Sequence, residues 1–514
     1  MSFYRRNKKN IRLIIFFTLV KVTLHFIANN NYGFHRDELL YKALGEHVDW
    51  GFKEVPPFVA GLSWITTHLF GDSLFATRLF STLFGAAIVF LTGLIVLNLG
   101  GKRLAIIIAC TAVIVSPSFL ASQYLFQPVV FDQFFWTLTA YFFIRYIRTR
   151  EAVNIYYSGI SIGFGMLNKY SMAFFALALI VALMISAQRK LLVNRAWLIG
   201  ALIAFLIFLP NLLWQINNGL PVFRHMKELR GTQLNYISPV DFGLQQLLIH
   251  ASVLFIWLPG LVYLFLSRTN RQYRFLGIAF FLTLIMLIVL KGKVYYSFGA
   301  YPMLFAAGGI AFYKLMKNLK PVLNYTILAF IFIPSFLFLP IVIPILPLAN
   351  TLKFFKFSAE KLNLKFALKW EDQKEHATTQ DYADMLGWNE IAENVTKAYK
   401  TIPADDKDSS TIFANNYGQA GAIDHYRKKY QLPAAVCLSS SYALWSPASF
   451  PVKHIVYVDD EYPDTLGTFY KSVVKIGEVE NQFAREKGTA IYLLSYPVKD
   501  IMPIYQAQRK LMFD

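Results

Sequence analysis

Apolar stretches long enough, or nearly long enough, to cross a bilayer recur along the first two thirds of this chain. They constrain its fold more than any other feature. A helix needs about 20 predominantly apolar residues to span the hydrocarbon core. Such runs lie at 11–28, 78–99, 104–118, 128–147, 153–167, 170–187, 196–214, 250–267, 275–290, 294–313 and 323–345, about eleven in all. The stretch 153–187 is too long for one helix, and Leu167-Asn168-Lys169-Tyr170 breaks it into two short ones. The first run has no evident small-residue cleavage site, which favours an uncleaved anchor over a signal peptide.

Only 16% of the 514 residues are charged, against about 25% in a typical soluble domain. The net charge of +19 does not point to nucleic acid, because the basic residues cluster in short loops between apolar runs. Cys110 lies inside an apolar run and Cys437 far away near the C-terminus, so neither a disulfide framework nor a cysteine metal site is implied.

Lysine and arginine set the expected orientation. With Arg5, Arg6, Lys8, Lys9 and Arg12 in the cytoplasm, every second connection is short, basic and cytoplasmic: Lys102/Arg103, Arg145/Arg148/Arg150, Arg189/Lys190/Arg195, Arg268/Arg271/Arg274 and Lys314/Lys317/Lys320. Longer, mixed loops at 29–77 and 215–249 fall on the other side, with everything after about 346. The expected organisation is therefore a membrane domain over 1–345, with amphipathic helices in its first outer loop 29–77, and a soluble extracytoplasmic domain over 346–514. In that last region TIFANNYGQAGAIDHYRKKYQ reads as a strand, a Gly/Asn turn and an amphipathic helix. AAVCLSS, HIVYVDD and AIYLLSYP read as short buried strands, which makes an α/β layer. The turn NNYGQAG could be a plain tight turn or an anion site at a helix N-terminus.

Between residues 76 and 340 there are only four carboxylates: Asp132, Glu151, Glu228 and Asp241. Asp132 alone lies inside an apolar run, near its outer end, and an intramembrane acid is a functional candidate by default. The competing reading pairs it with Arg78 to fix helix packing. The first outer loop holds six more acids: Asp37, Glu38, Glu46, Asp49, Glu54 and Asp72. In RDELLYKALGEH, Leu40, Leu44 and His47 share one helical face, giving a surface helix with Asp37 and Glu38 at its start. There Asp37 could simply be an N-cap and Glu38 a first-turn acid favoured by the helix dipole. The outer face also carries Lys169, and Lys291 and Lys293 in KGKVYYSFGAYP. Cations at an outer helix end suit a bound phosphate, or else lysines snorkelling towards water. Carboxylates for proton transfer and cations for a phosphate leaving group are what glycosyl transfer from a lipid phosphate needs.

HRDELLYKALGEHVDWGFKEVPPFVAGLSWI resembles the first outer loop of bacterial family-39-type glycosyltransferases, relatives of the protein O-mannosyltransferases and of the lipid A aminoarabinose transferase. The resemblance continues through TRLFSTLFGA, SPSFLASQYLFQPVVFDQFFWTL, GFGMLNKYSM, PNLLWQINNGLPVF, GKVYYSFGAYP and NNYGQAGAIDHY, in the family's order. It implies the GT-C fold, a bundle of about eleven transmembrane helices in the bacterial inner membrane with an extracytoplasmic active site. The donor it implies is a polyprenyl-phosphate-linked sugar, and the acceptor a lipid, a glycan or a protein. It also implies that Asp37 is the motif acid that binds acceptor and acts as base, with Glu38 its partner and Asp132 the acid at the membrane boundary. Lys291, Lys293, Tyr295 and Tyr296 fall where donor-phosphate contacts are expected, and Arg78 and Lys169 join them as candidates. Val55 departs from the histidine or lysine that often precedes the Pro-Pro corner. The resemblance leaves a divalent metal open, although no ligand spacing for one is visible. A lipid-linked sugar flippase is the non-enzymatic alternative; it would not readily explain the large first loop or a soluble outer domain.

Overall fold

The structure, a computed structural model, describes residues 3–232, 234, 238–337, 339–462 and 464–513. Phe338, within the expected run 323–345, and Gln233, Asn235, Tyr236 and Ile237, within the loop 215–249, lie outside the described residues. Every expected apolar run contains a helix: Lys8–Ala28, Leu74–Asn98, Arg103–Val115, Pro128–Thr149, Val153–Asn168, Ser171–Met184, Ala196–Asn217, Leu254–Leu266, Arg274–Val289, Tyr301–Met316 and Pro321–Leu337. Among the described residues, five helical spans are long and apolar enough by themselves to cross a membrane, and up to seven if two bent pairs each count as one. These helices are those of a multi-pass membrane protein.

The chain forms two compact units. The first, Met1–Asn29, Val55–Phe58 and Arg78–Ile345, is helical. Leu198, Leu202, Phe205, Val289 and Phe330 are exposed on it, as large apolar side chains facing lipid are. Val153–Asn168 and Ala196–Asn217 meet where Gly159 lies against Gly200, and a Cβ at Gly159 would collide with the Gly200 carbonyl. Small residues permit this close backbone approach in membrane bundles. The helices Arg103–Val115 and Pro117–Tyr124 bend by 59°, and Pro239–Leu248 and Ala251–Leu266 by 60°. The two breaks are tied together, since Ser116 Oγ and His250 Nδ1 are hydrogen-bonded at 2.5 Å. Sharp kinks arise at proline or at interrupted backbone ladders, and Pro117 opens the second half of the first pair.

The second unit comprises Asn30–Glu54, Val59–Thr77 and Leu346–Asp514. It contains a five-stranded sheet of β1 Ser410–Ala414, β2 Ala435–Val436, β3 His454–Asp459, β4 Tyr470–Glu478 and β5 Ala490–Pro497, in the order β2-β1-β3-β5-β4. β2, β1 and β3 run parallel, while β5 is antiparallel to β3 and β4. The four expected strands are all present. β4 was not among them, because this edge strand interleaves Lys471, Ser472 and Lys475 with its valines. Ile455, Tyr457, Tyr492 and Leu494 fill one core of the sheet. The helix Tyr417–Tyr430 carries the helix Arg36–Glu46 on its side, and the two approach closely at Gly418 and Gly421, where a Cβ would come within 2.8 Å of Arg36 Cγ and of Leu39 Cβ.

Candidate active site

The helix Arg36–Glu46 is capped by His35, whose Nδ1 accepts from the Asp37 N–H at 3.1 Å. The box closes from the other side, where the His35 N–H donates to Glu38 Oε2 at 2.8 Å. Asp37 is therefore not the N-cap, and the buried Glu38 is committed to holding the helix start. The Asp37 carboxylate is turned to another partner: Tyr417 donates its hydroxyl to Oδ1 at 2.9 Å. Burial, together with the adjacent Asp37 charge, pushes the Tyr417 phenol well above its usual range, so it stays a neutral donor.

Residues that the sequence did not single out complete this surrounding. The Arg36 guanidinium lies 4.6 Å over the Tyr417 ring. The Arg36 N–H donates to the Asp384 carbonyl at 3.0 Å, and the Asp384 carboxylate pairs with Arg485 at 3.1 Å. Burial raises the Asp381 carboxyl, His35 lowers it, and Asp384 and Asp37 raise it further. Further along the loop, Lys42 and His425 both face Asp72. Burial alone would raise the Asp72 carboxyl, but these two partners hold it at about 2. Glu54 accepts from the Ser441 N–H at 2.6 Å, which pins the segment before the Pro-Pro corner.

The turn at Asn415–Gly418 is a cap. Asn416 Oδ1 accepts from the N–H groups of Gly418 at 2.9 Å and Gln419 at 3.1 Å. The donors that an anion would use there are already satisfied by the side chain, so the anion reading of NNYGQAG gives way to the turn.

The helical unit holds the other candidates. Asp132 sits one turn into Pro128–Thr149 and is buried. Ser171 Oγ donates to its Oδ2 at 2.8 Å, and its Oδ1 has no hydrogen-bond partner among the described residues. The Asp132 carboxylate attracts the Lys169 ammonium, and Lys293 repels it. Lys169 Nζ lies 4.2 Å from the Tyr296 ring centroid and 4.6 Å from that of Tyr295. Lys293 Nζ is 6.0 Å from the Tyr295 ring. Asp132, Lys169, Lys293, Tyr295 and Tyr296 thus form one cluster. Lys291 is two residues away and exposed, in left-handed backbone at φ 54° where Arg274–Val289 ends. Arg78 lies in a buried polar seam, donating to the Asn29 carbonyl at 3.4 Å and facing the Tyr124 ring at 5.4 Å. The helix that ends just before Asn29, Lys8–Ala28, buries Lys21 and His25 within its apolar run.

Among the described residues, no group of three or more histidine, cysteine, aspartate and glutamate side chains is placed to hold a metal ion.

Residues 54–214 match the family model described as dolichyl-phosphate-mannose-protein mannosyltransferase. No curated protein matches the chain by sequence. Among solved structures, the chain is similar to ArnT from Cupriavidus metallidurans bound to undecaprenyl phosphate, at 12% identity and TM-score 0.63, covering 94% of this chain and 97% of that one. The apo state of the same protein matches at 11% identity and TM-score 0.60, with the same coverage. The archaeal oligosaccharyltransferase AglB from Archaeoglobus fulgidus, in complex with an inhibitory peptide and a dolichol-phosphate, matches at 13% identity and TM-score 0.52, over 91% of this chain and 71% of that one. At these identities the solved structures speak for the fold alone. The helical bundle has the GT-C fold, and the family match over residues 54–214 supports a membrane glycosyltransferase.

Proposed function

We propose that this protein transfers a sugar from a polyprenyl-phosphate donor to an acceptor on the extracytoplasmic face of the bacterial inner membrane. The observation that carries the reading is the cluster of Lys169 and Lys293 with Tyr295 and Tyr296 beside the buried Asp132. Ammonium groups bind phosphate oxygens through charge-assisted hydrogen bonds. Lys293 and Lys169, with Lys291 two residues before Lys293, take the donor phosphate and stabilise the charge that grows on it as it leaves. Tyr295 and Tyr296 orient the ammonium groups, and Arg78 is a further cation for the phosphate. Asp132 positions Lys169 through their mutual attraction. ArnT was solved with undecaprenyl phosphate and AglB with a dolichol-phosphate, which supports a donor of the same chemistry here.

In the reaction the acceptor hydroxyl attacks the anomeric carbon, and the bond from that carbon to the phosphate oxygen breaks. Polyprenyl phosphate leaves, and the hydroxyl proton passes to Asp37. A carboxylate within hydrogen-bond reach serves as general base. Asp37 is suited to this because it does not cap its helix and the Tyr417 hydroxyl holds it; Glu38 keeps the helix start in place beneath it.

The test is transfer by the purified protein in nanodiscs, supplied with polyprenyl-phosphate-linked hexose or pentose donors and a membrane glycolipid extract as acceptor. Product formation that needs the lipid-phosphate donor and is not supported by nucleotide sugars is the expected result. Transfer from a nucleotide sugar, or none from any lipid-phosphate donor, would rule the reading out.

A further inference from the structure

Away from the Asp37 surroundings, the second unit contains a cleft of about 680 Å³, within the roughly 300–1,000 Å³ of small-ligand sites. The helix Phe58–Phe70 contributes Trp64 and Thr67, and the helix Tyr417–Tyr430 contributes Arg427 and Lys428. His47 and Trp445 close it. We propose that this cleft is a carbohydrate-binding subsite that receives the glycan part of the acceptor; the inference rests on the transferase reading and names the acceptor class it leaves open.

Two flat aromatic stacks line the cleft. Trp64 stacks on His68 at 4.4 Å and 30°, and Trp445 on His47 at 4.3 Å and 13°. The His68 ring is locked by a 2.8 Å hydrogen bond between its Nδ1 and the Trp64 carbonyl. Trp64 is 47% exposed. A pyranose has one face of C–H groups and a rim of hydroxyls, and rigid aromatic faces with a polar edge match both features.

The polar groups have the matching character. Among the described residues, the side chains of His47, Thr67 and Lys428 make no hydrogen bond or ion pair with protein, so their capacity is open to hydroxyl groups. Arg427 and Glu46, paired at 3.4 Å, offer donors and acceptors side by side. Asp424 is a fixed wall, because its carboxylate already accepts from the Ala435 N–H and the Tyr442 hydroxyl, both at 3.0 Å. A bilayer surface would fit Trp64 but would leave Glu46 and the cleft's other hydrogen-bonding groups facing hydrocarbon, at a cost.

The experiment is saturation-transfer difference NMR on the full chain in nanodiscs, with chitobiose and maltotriose as probes and no donor present. Saturation of ring C–H protons of at least one probe is expected for the wild type. Affinity should fall about two- to tenfold in Trp64→Ala and in Trp445→Ala, and Trp64→Phe should keep part of it. Trp64 is exposed, so its variants test the cleft even where Trp445→Ala fails to fold. No saturation from the wild type, or equal saturation from wild type and Trp64→Ala, overturns the proposal. So does quenching by brominated lipids of the fluorescence that Trp64→Phe removes, since that would put the ring in the bilayer. Because binding is read without donor, its loss alongside intact sugar transfer removes the cleft and spares the function.

Discussion

The Tyr417 hydroxyl donates to Asp37 Oδ1 at 2.9 Å across 380 positions of sequence. The bond joins the start of the first-loop helix to the first turn of the helix after β1. It also separates the roles of two adjacent acids. Glu38 faces back to the His35 N–H and closes the capping box, while Asp37 faces out of the helix towards a neutral phenol.

Stability should follow that division. We predict that Glu38→Ala lowers the unfolding free energy by about 0.5–2 kcal/mol, the usual range for a lost cap, and lowers Tm with it. Asp37→Asn should leave Tm nearly unchanged, since the amide oxygen still accepts from Tyr417. Thermal unfolding of the purified variants checks both, and a larger loss from Asp37→Asn than from Glu38→Ala would reverse the assignment.

The donor cations give a second prediction. Replacing Lys291 and Lys293 with glutamine should raise the donor concentration needed for half-maximal transfer while the protein stays folded. Each lost charge-assisted contact costs about 1.5–3 kcal/mol. Unchanged donor dependence in the double variant would reduce them to lysines snorkelling to the membrane surface.

Orientation is predicted from the basic loops. Reporter fusions at Lys317 and at Asn416 should report opposite compartments, with Lys317 cytoplasmic and Asn416 outside. Equal signals would remove the proposed extracytoplasmic location of the reaction.

The first loop also carries an acid-dependent element. Asp72 is held at about 2 by Lys42 and His425, below the usual carboxylate value near 3.9. A depressed folded-state value gives stability that is present above about pH 4 and is lost as pH falls towards 2. Because Asp72 is half exposed, the effect is modest. Wild-type Tm should therefore fall more steeply than that of Asp72→Asn between pH 5 and pH 2. Parallel slopes would mean that the contacts with Lys42 and His425 do not persist in solution.

Much of the fold is legible in the sequence because lipid imposes a simple rule: backbone polar groups must be satisfied within each helix. Runs such as 196–214 and 275–290 therefore declare themselves by apolar length alone. Strand β4 does not, because an edge strand with Lys471 and Lys475 lacks a continuous apolar signal. The candidate site divides in the same way. Asp132 stands out as the one acid inside an apolar run, and Lys293 as a cation next to Tyr295 and Tyr296. The capping role of His35 is hidden, because histidine is an uncommon N-cap and its neighbour Asp37 is a common one. Tyr417, Asp384 and Arg485 are hidden for another reason. Their contacts with the first-loop helix span hundreds of residues, and no local pattern in NNYGQAG marks its tyrosine as a partner for Asp37.

The most direct measurement is the rate of sugar transfer by Asp37→Asn and wild type, compared at equal folded amounts with saturating polyprenyl-phosphate sugar. Asparagine preserves size and the bond from Tyr417 but cannot take a proton. General-base assistance contributes about 10²–10⁴-fold, so the account predicts that turnover falls by that factor in a protein of unchanged Tm. Near-normal turnover in Asp37→Asn would contradict it and move the search for the base to Asp132.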